Sequence, residues 1–540
     1  MAYIPVLFVF IPIMAGLILY IFKHPKVSLI VFLAQLSMVV LFVLYVRHLT
    51  LHPQDALLVF GGWDAKFAIS FYHDVTSLSF VGLAIFMWLF ILMYTFKTNR
   101  KESKYLFFLM FLQGVFMGLL QTNDLFNLFV FLELTAVLVT ILIVYRKTGT
   151  SFRAGIYYLL LNTVGAMFFL IGVILIYYSY GTINIQMIRA DIALLSDTRV
   201  IKLAFVFMIA GISVKAAIFP VFTWLPRAHG VAQSSISALL SGLIVKGALY
   251  MFIRINNHMF ADAAYNMQEV FFWLGLVTAL IGVFFAISQK DLKQILAYHT
   301  ISQVGIVMMG LASTHGLSIF GGFLHVFNHA LFKGLLFLAA GVIIKTYGSK
   351  KVSDVRGVFK TMPWTALLLI VGMLSIAGAP LFNGFVSKTA VKYAFQDDML
   401  KMVLFAIVNL GTITSFIKFS QILFGPKKAL TIKGDVLQHL GMTLMALSCL
   451  AIGLFHVPLG TWLYPSIDLG GQTLTYIRWY DPMNILEFLI YAGIGYLFYT
   501  TVINKDYWPT RKLRDMVITF ENANYLFIVY ILVLAFFVMI

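Results

Sequence analysis

The chain has 540 residues, of which 61% are hydrophobic and only 11% charged, and its mean hydropathy is +0.95. These values exclude a soluble globular protein, and apolar runs near the 20-residue span length recur from one end to the other. The formal charge of +17 does not mark a nucleic-acid interface, because the basic residues sit mostly in alternate loops, the pattern that orients a membrane protein. A single cysteine, Cys449, excludes a disulfide framework, a cysteine-ligated iron–sulfur cluster and a cysteine-based zinc site.

The pattern is that of an all-α polytopic membrane protein with about sixteen spans, since the short alternating segments of a membrane barrel are absent. The stretch 1–22 lacks a basic leader and is taken as a first span rather than a cleaved signal. A second span follows near 28–46. The loop 47–72 carries Gly61-Gly62, which allows it to fold back on the membrane. Spans three to six are expected near 73–96, 104–121, 124–145 and 152–180. The seventh and eighth occupy 211–247 and its flanks, the ninth to eleventh 268–287, 294–312 and 317–344. The twelfth is a long segment at 364–395. The last four are expected near 401–424, 436–456, 484–503 and 522–540. On this map 24 of the 38 Lys and Arg fall in one set of loops and 8 in the opposite set. The bias places both termini outside.

Six basic residues remain within apolar segments: Lys215, Lys246, Lys333, Lys388, Lys392 and Lys418. A lysine at the centre of a membrane helix costs roughly 2.5–3.5 kcal/mol on insertion scales. Lys392 and Lys418 stand near span ends, where a long side chain reaches the interface. Of the acids, only Glu133 lies deep in a span, in DLFNLFVFLELTAVLVTILIVY. Its pairing with one lysine is either a structural ion pair or a proton-exchanging one. One carboxylate does not neutralise Lys215, Lys246, Lys333 and Lys388 together, so some are neutral part of the time or solvated by internal water. A buried amine next to a carboxylate is poised between its two charge states, as a proton relay needs.

In the eleventh span, FLHVFNHALFKGLLFLAAG places His325, His329 and Lys333 at i, i+4 and i+8, on one helical stripe. Two histidines at that spacing also suit a metal or haem. No third ligand stands in the motif, and their alignment with a lysine inside a membrane favours a proton-relay segment. His299, in LAYHTISQVG, is a candidate accessory, as is Asp124 at the head of the Glu133 span. Two spans are interrupted: the seventh at Pro220 and Pro226, the twelfth at Gly378, Pro380 and Gly384. Unwound backbone at membrane depth is tolerated only against protein or water. Interrupted segments in both halves point to an inverted-repeat transporter with ion sites near its midplane.

At these residues the chain resembles the antiporter-like membrane subunits of Mrp-type Na+/H+ antiporters, respiratory complex I and membrane-bound hydrogenases. The motifs are DLFNLFVFLE, VKAAIFPVFTWLPRAHG, SQKDLKQILAYHTISQVG, LHVFNHALFKGLLFLAAG and GAPLFNGFVSK, spread over roughly residues 70–425. The DLFNLF wording and Lys388 look most like the D-type subunit of the Mrp antiporter. The resemblance implies a fourteen-helix core with two inverted five-helix repeats and broken helices seven and twelve. It divides the chain into 1–103, a first repeat at 104–260, a second at 261–425 and C-terminal helices at 426–540. It also implies that Glu133 and Lys215 pair, that Lys246 follows, that His325, His329 and Lys333 connect, and that Lys388 ends the relay. His299, Leu381 and Asn383 differ from the family's usual serine, proline and serine, and two C-terminal spans exceed a minimal D-type subunit.

The function expected is therefore a proton-translocating subunit of a multisubunit monovalent cation (Na+)/H+ antiporter in the cell's inner (cytoplasmic) membrane. It is expected to be a transporter subunit rather than an enzyme, without cofactor or metal, and to have other membrane subunits as partners. The alternatives are a proton-pumping subunit of a redox-driven complex or hydrogenase, and a membrane subunit of an inorganic-carbon uptake system.

Overall fold

The computed structural model of the chain describes residues 3–22, 27–99, 102–263, 265–430, 435–463, 479–505 and 507–540. Lys23, Lys26, Arg100, Lys101, Lys433 and Arg478, counted above among the loop charges, lie outside the described residues.

Among the described residues, thirteen helices are long and apolar enough to cross a membrane. They account for thirteen of the sixteen expected spans. The other three are those whose polarity or interruption dilutes the apolar signal. Arg199–Ala216 ends on Lys215, and Leu292–Leu311 carries Lys293, His299 and Gln303. The twelfth is split into Pro363–Ala377 and Asn383–Lys392. Two features were not foreseen. The 47–72 loop forms a two-stranded antiparallel hairpin, Leu57–Val59 against Ser70–Tyr72, with Leu57 opposite Tyr72. Strands of three residues are too short to show an alternating pattern. A short amphipathic helix, Ile185–Leu195, precedes the seventh span.

The chain divides into two compact units. The first comprises Met1–Ala216, Ile244–Asn266 and Asn524–Ile540. In it the sixth span, Gly149–Tyr180, lies along Arg199–Ala216 at backbone distance: a Cβ on Gly211 would stand 2.4 Å from the Gly165 carbonyl oxygen. Small residues allow this approach where apolar lipid leaves packing as the main attraction between helices. The last span packs against both of these helices. Tyr530 and Ser213 hydroxyls are 2.8 Å apart, and the Phe527 ring meets Phe168 edge-on at 5.1 Å.

The second unit comprises Ala217–Leu243 and Met267–Ala523. Gln268–Ser288 and Leu292–Leu311 pair in the same manner, a Cβ on Gly305 falling 2.3 Å from the Gly275 carbonyl oxygen. The 32-residue helix Gly316–Tyr347 is buried over 94% of its most apolar window. A helix enclosed on all sides has no route to solvent for its polar groups, so they must find partners inside.

Both interruptions pass through non-glycine residues with left-handed φ, Ala217 (56°) and Leu381 (74°). Such positions cost about 1–3 kcal/mol each and persist only where the surroundings impose them. In the first, the Phe219 amide donates to Thr278 Oγ1 at 3.1 Å, which satisfies a backbone group freed by the break. The helix resumes at Trp224–Val231. Pro226 therefore stands in the first turn of the returning half, where its missing N–H costs no helical bond, and the break itself holds Pro220. In the second, Gly378 caps Pro363–Ala377 at φ 77° and Pro380 lies in the turn. Gly384, also expected at the break, lies in the first turn of Asn383–Lys392, where a Cβ would fall 1.8 Å from the Ser375 carbonyl oxygen.

Candidate functional site

In the first unit, the fifth span Leu125–Val144 carries Glu133, and Arg199–Ala216 brings Lys215 to its last turn. Lys215 Nζ donates to Glu133 Oε1 at 3.2 Å, and the Thr163 hydroxyl donates to Oε2 at 3.2 Å. Lys215 is 7% exposed and the Glu133 side chain 22%. The lysine thus sits at a helix C-terminus, the negative end of the dipole, with a carboxylate beside it. The carboxylate retains some access to its surroundings.

Lys246 lies fully buried in Ser234–Met259. Two π-helical stretches, Leu240–Ile244 and Ile253–Met259, flank its turn. Such bulges recur at functional sites. A Cβ on Gly247 would lie 2.8 Å from the Phe116 ring, so glycine lets this helix press against the fourth span beside Lys246.

The same helix carries a second buried basic residue. Arg254 is buried at 4% exposure and forms a bidentate pair with Asp74, at 2.6 and 2.7 Å. Its Nε donates to the Tyr250 hydroxyl at 2.9 Å, which donates to the Leu120 carbonyl at 2.7 Å. Burial works against the Asp74 charge, but the guanidinium outweighs it and holds the carboxyl at about 2. Neighbouring His73 is pushed down to about 4 by burial, despite its bond to Gln121 Oε1 at 3.0 Å. A signal was present in the sequence: Lys246, Tyr250 and Arg254 recur at i, i+4 and i+8. Asp124 caps Leu125–Val144, accepting from the Asn127 amide at 2.5 Å. Burial raises its carboxyl to about 6 despite that bond.

In the second unit, the histidine stripe is anchored through His325. His325 Nδ1 lies 2.8 Å from Ser387 Oγ, and Nε2 lies 3.0 Å from Gln303 Oε1. Its ring stacks on His329 with centroids 6.3 Å apart. Asn328 donates to the Asn383 carbonyl at 2.8 Å and to Ser387 Oγ at 3.0 Å. These bonds join the eleventh span to the tenth and to the second half of the twelfth. Lys333 donates to the Leu296 carbonyl at 2.6 Å and faces the Phe337 ring at 5.9 Å.

His299 is fully buried, its ring 4.8 Å from Phe416. Neither ring nitrogen has a hydrogen-bond partner among the described residues. It stands within electrostatic reach of Lys333, Lys388 and Lys418. Lys388 donates to the Ile376 carbonyl at 2.8 Å, a carbonyl at the end of the first half of the twelfth span. Lys392 and Lys418, expected to reach the interface, instead have partners within the unit. Lys392 pairs with Glu487 at 2.7 Å. Lys418 donates to the carbonyls of Ile287, at 2.7 Å, and Gln289. Among the described residues, no group of three or more His, Cys, Asp or Glu side chains is placed to hold a metal ion.

A bundle of apolar helices with two interrupted spans and ionisable groups held inside it defines an antiporter-like membrane subunit. The family described as NADH:quinone oxidoreductase/Mrp antiporter, TM matches residues 122–418, and the chain belongs to it. Over 371 residues it is 34% identical to the D-type subunit of the Na(+)/H(+) antiporter of Alkalihalophilus pseudofirmus, covering 67% of this chain and 74% of that one. Its fold is shared with a chain of the Mrp complex from a Dietzia species: the TM-score is 0.78 and the identity 23%, over 90% of this chain and 99% of the other. A chain of the membrane-bound sulfane sulfur reductase, an archaeal respiratory membrane complex, is similar at 25% identity and a TM-score of 0.78, over 91% and 99%. The chain is a multi-pass membrane protein, and the solved chains it resembles are parts of larger complexes.

Proposed function

We propose that the chain is the proton-translocating subunit of a multisubunit monovalent cation/proton antiporter of the cell's inner membrane, with both termini outside. The observation that carries this reading is the Glu133–Lys215 pair, held at 3.2 Å inside the bundle. A proton arriving at this pair changes its charge. In a medium that screens poorly, that change alters how readily the next basic group holds its own proton. Lys246, fully buried in the eighth span, is such a group. In the second unit His299, His325, His329, Lys333 and Lys388 supply a further set, and internal water carries protons between them. The name of the Alkalihalophilus relative supports Na+ as the exchanged cation.

Lys215→Ala tests the reading in everted membrane vesicles carrying the complete assembly. Exchange is expected to vanish while the protein remains in the membrane; a wild-type rate refutes it. The likeness to a chain of a respiratory membrane complex favours a second reading, in which the chain pumps protons using redox chemistry carried out in partner subunits. Purification of the native assembly separates the two: small antiporter subunits support the first, redox subunits the second.

A further inference from the structure

The family match ends at residue 418, yet a span beyond it contributes a carboxylate to a cavity that Lys388 also lines. A cavity of about 50 Å³ is lined by Lys388, Thr389, Lys392, Asn409, Glu487 and Tyr491, among others. Glu487 and Tyr491 belong to Pro482–Thr501, Asn409 to Met399–Ser420. Lys388 and Lys392 are one turn apart in Asn383–Lys392, so the cavity runs roughly 6 Å along that helix.

The groups at its far end are organised around Glu487. Lys392 Nζ donates to Oε2 at 2.7 Å and the Tyr491 hydroxyl to Oε1 at 2.5 Å. An ionised carboxylate has about four acceptor sites, so two bonds leave room for water. Asn409 Oδ1 is buried and has no hydrogen-bond partner among the described residues. A cavity with several polar walls, larger than the ~10–15 Å³ one water needs, is a place for water rather than a void. The Lys392 and Glu487 side chains are 23% and 30% exposed, whereas Lys388 is 6% exposed. The cavity therefore leads from a buried amine to a carboxylate with access to the surroundings.

We propose that Glu487 is the terminal proton-carrying group of this chain, exchanging protons with Lys388 through water in this cavity. The inference rests on the proton-translocating reading above. The Lys388 ammonium gives a proton to the water chain and becomes an amine, and the Glu487 carboxylate takes one from its other end and becomes a neutral acid. Glu487 then releases the proton to the exterior water and returns to the carboxylate. Only N–H and O–H bonds change, and no oxidant or further reactant is needed. Lys392 stays an ammonium throughout and holds the carboxylate in place between turnovers. The charged and titratable groups bonded to Glu487 are Lys392, from the twelfth span, and Tyr491, from its own helix; Lys388 lines the same cavity.

Two measurements test this. In vesicles carrying the complete assembly, Glu487→Gln is expected to lower exchange tenfold or more, with Glu487→Asp recovering part of it. A structural ion pair predicts that Lys392→Met combined with Glu487→Gln restores exchange, since no charge is left unpaired. The proposal predicts that the double variant stays impaired, and restoration overturns it. Wild-type exchange in Glu487→Gln overturns it too. If Lys215→Ala is inactive in the same vesicles, the failure belongs to this inference alone. Independently, Thr389→Cys in a Cys449→Ala background is expected to react with a charged, membrane-impermeant thiol reagent. An unreactive thiol in assembled protein overturns the hydrated passage.

Discussion

Replacing Glu133 in graded steps tests the pair on which the function rests. Lys215 Nζ stands 3.2 Å from Oε1, and at an effective dielectric constant of about 20 this separation corresponds to roughly 5 kcal/mol of attraction. That value describes charge pairs even at buried sites better than a dry one does. Glu133→Gln keeps the shape and removes the attraction. Glu133→Asp withdraws the carboxylate by one methylene, to about 4.7 Å, leaving about 3.5 kcal/mol. The difference of about 1.7 kcal/mol corresponds to about 16-fold in a rate. With a pH-gradient dye in everted vesicles, Glu133→Gln is expected to show no cation-dependent proton movement. Glu133→Asp is expected to retain on the order of a tenth of the wild-type rate. A Glu133→Gln protein present at normal amounts and working within twofold of wild type would refute the reasoning.

Asp74→Asn leaves Arg254 buried without its counter-charge. The expected cost is about 3 kcal/mol, the low end for a broken buried pair because Asp74 keeps some exposure, and Asp74→Asn with Arg254→Met recovers most of it. Thermal aggregation midpoints of the detergent-solubilised assembly check this, and equal midpoints for the single and double variants refute it. With Asp74 held at about 2, below its ordinary value, its contribution is complete above about pH 4 and is lost as pH falls through about 2. Asp124 is shifted the other way, to about 6. The folded chain then holds its proton more tightly than the unfolded one, and stability from this group fades as pH rises from about 4 through about 6. Asp124→Asn, which keeps the cap without the charge, is expected to be neutral or stabilising at pH 7.5, whereas Asp124→Ala costs about 1 kcal/mol. A lower midpoint for Asn than for Ala contradicts this. Gly384→Ala forces a methyl against the Ser375 carbonyl oxygen, which is backbone and has little room to yield. Loss of assembled protein is expected, and normal assembly on size-exclusion chromatography would show that the close approach is not required.

The spans were legible because a 20-residue apolar stretch has few alternatives to crossing a bilayer. The expensive lysines were legible for the same reason: each stands out against its apolar surroundings. The His325–His329–Lys333 stripe needed only helical periodicity. The hairpin at 57–72 escaped because its strands are three residues long, and Ile185–Leu195 because one amphipathic turn pattern is easily taken for a loop.

Chain-local chemistry therefore determined which helices form, where two of them break and which ionisable residues lie within the spans. It did not determine their partners. Lys215 meets a carboxylate 82 residues away, Lys392 one 95 residues away and Arg254 one 180 residues away. Those pairings depend on which helix faces press together. Glycines such as Gly165, Gly211, Gly275 and Gly305 set part of that packing by letting backbones approach closely. Only the tertiary structure also placed Glu487 at the cavity that leads to Lys388. Electrostatic partnership falls off with distance in space, and distance along a chain of packed helices says little about it.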